Sequence, residues 1–277
     1  YDVAVIDEAQ MIADPERGGS WTKAVLGICA DEIHICAAAH AKNILIKLIE
    51  ICGDTYTVAE HHRQTPLIFE GERFTFPESV RDGDALIVFS KKNVHAVATE
   101  LQAGDTRCSI IYGDLPYDVR HEEARRFTDG ETQVIVSTDA IGMGLNMPIR
   151  RVVFLESQKF DGRTKRPLEP GEIQQIAGRA GRFGQYDRGY VSAAVDSMAI
   201  KHKLGAAIPD IEKAVIKFPE ALINIDSRLS EILKRWEGIE LKEGFERASL
   251  SGEIELCQLI EGETEDKDFI FTISPIR

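Results

Sequence analysis

The chain has 277 residues, 43% hydrophobic and 29% charged, with a formal net charge of -13. That composition supports a folded core and about two domains, and the acidic total speaks against indiscriminate nucleic-acid binding. No apolar run approaches the roughly 20 residues of a membrane-crossing helix, so no membrane role is expected. The five cysteines are scattered without a C-x-x-C pair, which suits a reducing compartment.

Tyr1 to Ile6 is a short apolar run rich in β-branched residues and reads as a buried parallel strand. It ends in Asp7-Glu8-Ala9-Gln10. Carboxylates at the C-terminal end of such a strand stand where open α/β sheets bind ligands. One acid can hold magnesium, usually through water. Its neighbour can orient or deprotonate an attacking water. On its own, such a pair also serves as a helix cap.

A polar, glycine-containing turn follows, with Ser20 as the expected cap of a helix through Trp21 to Leu26. A strand over Glu32 to Cys36, a helix from about Ala41 to Cys52 and a strand over Thr55 to Val58 complete a βαβ pattern. His34, Cys36, His40, His61 and His62 match no zinc spacing and receive no metal-ligand role. From Phe69 to Asp84 the periodicity fails and charge rises, as in a linker.

A second α/β unit begins with the apolar strand Ala85 to Phe89, followed by Ser90-Lys91 and a helix to about Leu101. A strand from Cys108, a charged helix from Asp118 to Phe127 and a strand from Gln133 to Ser137 come next. The last of these runs into a loop holding Thr138, Asp139, Gly142, Gly144, Asn146 and Pro148. After a strand over Arg151 to Leu155, a polar loop leads to an expected helix carrying Gln175, Gly178, Arg179, Gly181 and Arg182. Beyond Asp196 the pattern turns helical, with an amphipathic helix from Ile225 to Trp236. Glu237 to Asp268 then holds eleven acids against three bases, and Phe269 to Pro275 is short and apolar.

Glycines at 142 and 144 let a backbone approach a ligand without Cβ interference. Two arginines three apart share one side of a helix, and small residues around them leave room for a phosphate. Guanidinium forks match phosphate oxygens. Gln175 lies on the same face. No G-x-x-x-x-G-K-[ST] phosphate loop occurs in the 277 residues. The chain therefore reads as a C-terminal piece of a longer protein, inactive alone if the acids serve a nucleotide.

The ordered set resembles the superfamily 2 helicases, in which ATP is hydrolysed between two RecA-like domains. Asp7 to Gln10 is similar to motif II, Ser137 to Asn146 to motif V, and Gln175 to Arg182 to motif VI. Arg17-Gly18, Trp21-Thr22, Tyr112 to Pro116 and Phe160-Asp161-Gly162 bring the resemblance to the mitochondrial-degradosome RNA helicases and their bacterial relatives. By that resemblance Asp7 positions magnesium, Glu8 handles the attacking water, and Arg179 and Arg182 reach the phosphates. Gln10, Asp139, Gly142, Gly144 and Gln175 border the nucleotide. Cys36-Ala37-Ala38-Ala39-His40, at the place of motif III, lacks the expected glycine and acid.

The resemblance implies an α/β fold of parallel RecA-like sheets. The first domain is partial (1–78, with the linker), the second spans 79–197, and a helical accessory domain begins at 198. It implies an ATP-dependent helicase that moves 3′-to-5′, with ATP and magnesium as cofactors. Its ligand is single-stranded or tailed duplex nucleic acid, RNA favoured, contacted through Ser90, Lys91, Thr138, Asn146, Lys159 and Arg163. A nuclease partner is in keeping with it. The compartment is a bacterial cytoplasm, favoured, or the mitochondrial matrix. The alternatives are a DNA repair helicase and a catalytically silent binding module. A protein-binding scaffold has only the acidic stretch behind it.

Overall fold

A computed structural model describes residues 1–142, 145–162, 164–182, 184–247 and 250–262. In chain order the elements begin with Val3–Ile6 (β1), Gly18–Gly27 (α1), Glu32–Ile35 (β2) and Lys42–Cys52 (α2). Then come Leu67–Phe69 (β3), Asp84–Ile87 (β4), Lys91–Ala103 (α3), Cys108–Ile111 (β5), Tyr117–Thr128 (α4) and Val134–Ser137 (β6). Arg151–Phe154 (β7), Gln158–Phe160 (β8), Lys165–Pro167 (β9), Pro170–Ala177 (α5), Gly189–Ala193 (β10) and Ser197–Leu204 (α6) follow. The last are Ala214–Ile216 (β11), Leu229–Glu237 (α7), Phe245–Arg247 (β12) and Ser251–Ile260 (α8).

The chain divides into two compact units, one of residues 1–59 and 209–277 and one of residues 60–208. In the first, β1 and β2 pair in parallel, as do β11 and β12. Ile6, Ile12, Val25, Ile44, Leu48 and Ala214 share its larger core. The first turn of α1 lies so close to the turn after motif II that a Cβ on Gly18 would stand 2.5 Å from the Ile12 carbonyl oxygen. The same helix meets β11 through Thr22, whose hydroxyl donates to Val215 O at 2.5 Å. Two sequence expectations change here. The helix starts at Gly18 rather than after Ser20, and Thr55 to Val58 forms no strand. Tyr56 and Val58 are exposed, so that run buries too little to hold an extended pairing.

The second unit is a six-stranded sheet in the order β3-β10-β7-β4-β6-β5, and every pairing is parallel. Alternation along β4 explains its two-faced core. Ala85 and Ile87 pack with Phe127, Ile173 and Ile176 on one face, and Leu86 and Val88 with Phe74, Val94 and Leu101 on the other. The segment read as a linker is built into this unit. Leu67–Phe69 forms its edge strand and Phe74 is buried.

Arg151 fixes that segment. Its guanidinium donates to both Asp84 oxygens at 2.9 and 2.6 Å, to Glu70 at 2.7 Å and to Ser79 O at 2.8 Å. Burial works against the Arg151 charge, yet the two carboxylates hold its pKa above the ordinary value. Burial, with Glu70 nearby, holds the Asp84 pKa above its ordinary value, yet both its oxygens accept from Arg151, which makes it the ionised partner of the pair. Among the described residues no helix is long and apolar enough to cross a membrane.

Candidate functional site

Asp7, Glu8 and Gln10 lie in the first unit, and the other expected site residues that the structure describes lie in the second. Asp7 and Glu8 leave the end of β1, and Glu8 adopts a left-handed backbone, φ 51°. Its N–H donates to Asp7 Oδ1 at 2.8 Å, and Trp21 Nε1 donates to Asp7 O at 2.9 Å. Gln10 ties the pair to the place of motif III. Its amide nitrogen donates to the Glu8 carboxylate, and its Oε1 accepts from Ala38 N–H at 3.1 Å. This link uses a backbone N–H, so the plain alanines at 37–39 do not break it. Asp7 is exposed and Glu8 half-buried, hard oxygen donors at a sheet edge that fit a magnesium ion also held by phosphate oxygens. Among the described residues no cluster of three or more His, Cys, Asp or Glu side chains is arranged to hold a metal ion.

In the second unit, α5 opens on Pro170 with a reciprocal capping box between Glu169 and Glu172 and ends at Ala177. Arg179 and Arg182 therefore lie past the helix, in a turn, not along its side. Gly181 sets that turn. It has φ +68°, and a Cβ there would stand 2.3 Å from Gly189 N, so only glycine lets the turn lie on β10. Arg179 donates to the Gly142 carbonyl. Gln175 packs beside Gly142 as well, its Cγ 3.7 Å from where a Cβ on that glycine would be. The motif V and motif VI residues are thus brought together within one unit.

A cavity of about 450 Å³ opens at this turn, lined by Arg63, Asn146, Arg179 and Arg182 with His61 and His62. Asn146 is exposed into it. Gly144 and Arg163 lie outside the described residues.

The remaining expected residues are engaged within the protein. Ser90 caps α3, its hydroxyl accepting from Asn93 N–H at 3.1 Å. Lys91 stands 5.1 Å above the Tyr112 ring. Thr138 is buried, and its hydroxyl accepts from Ala140 N–H at 3.3 Å. The polar loop after β7 is an antiparallel hairpin of β8 and β9. In it Lys159 contacts Glu172 at 2.6 Å and Asp139 at 3.3 Å, and Arg166 makes a two-pronged pair with Glu172, 2.9 Å on each prong. Burial alone would raise Glu172, but Arg166, the Glu169 N–H and Lys159 together hold its pKa down to about 2.

Two residues that sequence reasoning passed over shape this edge. Glu156 accepts from Phe89 N–H at 2.7 Å and from the Asn93 amide. Arg63 donates to the carbonyls of the arginine turn. Neither sits in a motif, and Arg63 is 115 residues from its partner Gly178.

Residues 1–61 match the DEXQ-box helicase domain of Suv3, and residues 72–184 match the helicase conserved C-terminal domain. The chain carries a Suv3-type DEXQ-box helicase segment followed by a helicase C-terminal domain. The mitochondrial ATP-dependent RNA helicase SUV3 of Candida albicans is 41% identical over 221 residues, 78% of this chain and 31% of the relative. The mitochondrial ATP-dependent RNA helicase SUPV3L1 of Gallus gallus is 38% identical over 224 residues, 77% of this chain and 28% of the relative. The chain thus spans less than a third of the length of these relatives. A structure of S. cerevisiae Dbp5 bound to RNA and ADP BeF3 has the same RecA-like fold, with a TM-score of 0.52 at 16% identity over 94% of this chain and 63% of Dbp5. The relatives' names are mitochondrial; they support that arm of the expected localisation and not the preference for a bacterial cytoplasm.

Proposed function

We propose that the Suv3-type domains of this chain belong to an ATP-dependent RNA helicase that moves 3′-to-5′. The carrying observation is the turn past α5. It gathers Arg179 and Arg182 at a cavity of about 450 Å³ with Asn146, and ties Arg179 to Gly142 of the preceding loop. In this reading residues 1–59 belong to one RecA-like domain, and residues 60–208, which hold the six-stranded sheet, are the second; the expected boundaries at 78 and 197 move because β3 and α6 belong to that second unit.

ATP, with its magnesium, supplies a transferable phosphoryl group and charge neutralisation when bound. Asp7 would hold the magnesium, and Glu8 would orient the attacking water and take its proton. Gln10 keeps the Glu8 carboxylate in place. Arg179 and Arg182 meet the phosphate oxygens, a role worth roughly 10³–10⁵ in rate in phosphoryl transfer. Asp139, Gly142, Gly144 and Gln175 would border the nucleotide. RNA would run along Ser90, Lys91, Thr138, Asn146 and Lys159, with Arg163 a further expected contact. Backbone contacts of this kind make binding salt-dependent and sequence-tolerant. The relatives' names favour the mitochondrial matrix, and a nuclease partner suits a motor that feeds single strands.

The test is unwinding by the longer protein on duplexes with a 3′ or 5′ tail, in RNA and in DNA, with ATP or a non-hydrolysable analogue. The reading expects ATP-dependent opening of 3′-tailed RNA. Equal opening of DNA would move the assignment to a DNA helicase. Tight RNA binding without opening on any substrate would leave a silent binding module.

A further inference from the structure

Arg63 lies in the second unit, just ahead of β3, and devotes its whole guanidinium to main-chain oxygens. Nε donates to Thr65 O at 2.6 Å and Nη1 to Gly178 O at 2.7 Å. Nη2 donates to Ala180 O and, at 3.4 Å, to Gly181 O. The Gly178 and Gly181 carbonyls belong to the peptide units that lead directly into Arg179 and Arg182. They also sit past the C-terminus of α5, where carbonyls lack partners within the helix and a cation is favoured. Burial lowers the Arg63 pKa, but a guanidinium remains charged at neutral pH.

The pattern needs arginine. A planar fork with five donors can serve four oxygens in fixed directions, whereas a lysine ammonium is a point with three. The turn's own amides are occupied as well. Arg179 N–H donates to Ile176 O at 3.1 Å, Ala180 N–H to Ala177 O at 3.0 Å, and Gly181 N–H to Ile149 O at 2.8 Å. With its N–H groups tied to α5 and to Ile149 ahead of β7, and its carbonyls to Arg63, the turn has little room to pivot.

We propose that Arg63 is a positioning residue, a clamp that sets how Arg179 and Arg182 are presented to phosphate. This rests on the reading of those two arginines as phosphate contacts, and the test separates the two. In the longer protein, Arg63→Lys keeps the charge and removes the fork. Hydrogen exchange is measured at the amides of 178–181, with those of β6 as reference, beside RNA-stimulated ATP turnover. The clamp predicts exchange about tenfold faster in the turn and unchanged in β6. Because small misplacements of catalytic groups cost up to about 10²-fold, it also predicts a kcat lower by about tenfold or more, with KM for ATP and RNA affinity within about threefold. Added methylguanidinium should restore part of the kcat of Arg63→Ala.

Unchanged exchange in the turn overturns the clamp. Faster exchange with an unchanged kcat overturns its role in positioning. A wild-type protein without RNA-stimulated turnover sinks the hydrolysis reading alone, and the exchange result still decides the clamp.

Discussion

The acid pair at the end of β1 and the arginine turn past α5 are held in opposite ways. The acids are supported locally. Every bond around Asp7, Glu8 and Gln10 described above comes from within 28 residues. The arginine turn is held from far along the chain, by Arg63 at separations of 115 to 118 residues and by the packing of Gly181 on Gly189. A locally supported site survives the loss of any one prop, because the chain keeps the groups near each other. A site assembled from distant segments depends on the whole unit being folded. Changes in the second unit should therefore cost more stability than changes beside the acids.

The largest loss is expected from Arg151→Met. It leaves Asp84, 2% exposed in its side chain, without its cation, and breaking one side of a buried pair costs about 3–5 kcal/mol. Urea denaturation followed by circular dichroism reads it, and a loss under about 1 kcal/mol would remove Arg151 as the anchor of segment 70–84. Next comes Gly181→Ala. A Cβ 2.3 Å from Gly189 N and a φ of +68° together cost about 2–4 kcal/mol. A crystal structure of that variant with the turn unmoved would contradict the close approach.

Glu172→Gln should cost less, about 1–2 kcal/mol at neutral pH. Its sign with pH is fixed. The folded carboxyl sits at about 2, below its ordinary 4.5, so its contribution is full above 4.5 and fades as pH falls towards 2. Acid titrations of the wild type and the variant should converge near that lower limit. A constant gap across the range would show that the ion pairs contribute nothing.

The smallest effect is expected from Gln10→Ala. It removes two hydrogen bonds at a half-exposed place and costs about 1 kcal/mol of stability. In the longer protein it should slow ATP turnover more than it lowers Tm, because the Glu8 carboxylate loses its tether. The reverse ranking would make Gln10 a purely structural bridge.

The same contrast decides what could be read in the sequence. Asp7-Glu8-Ala9-Gln10 and Gly178-Arg179-Ala180-Gly181-Arg182 are compact patterns, visible because their residues are neighbours. The strands β4, β6 and β7 were legible for the same reason, since burial on both faces leaves each with a run of three apolar residues. The end of α5 at Ala177 was not legible, because a glycine-arginine string continues a helix as readily as it leaves one until the approach of Gly189 is known. Arg63 carries no local signal at all; its partners are oxygens of the backbone, which every sequence has. The pairing of Lys159 was not legible, because the Glu172 it shares with Arg166 belongs to the next helix. The edge strand Leu67–Phe69 was hidden by its brevity and by the charged residues after it.

In the proposed function, Glu8 and the two arginines drive ATP hydrolysis coupled to RNA. Its most direct test is the ATPase rate of the longer protein with and without single-stranded RNA, for the wild type, Glu8→Gln and Arg179→Ala. The account predicts strong stimulation by RNA and its loss in both variants, with RNA still bound. Stimulation that survives Glu8→Gln, or a wild type that binds RNA and hydrolyses nothing, would contradict it.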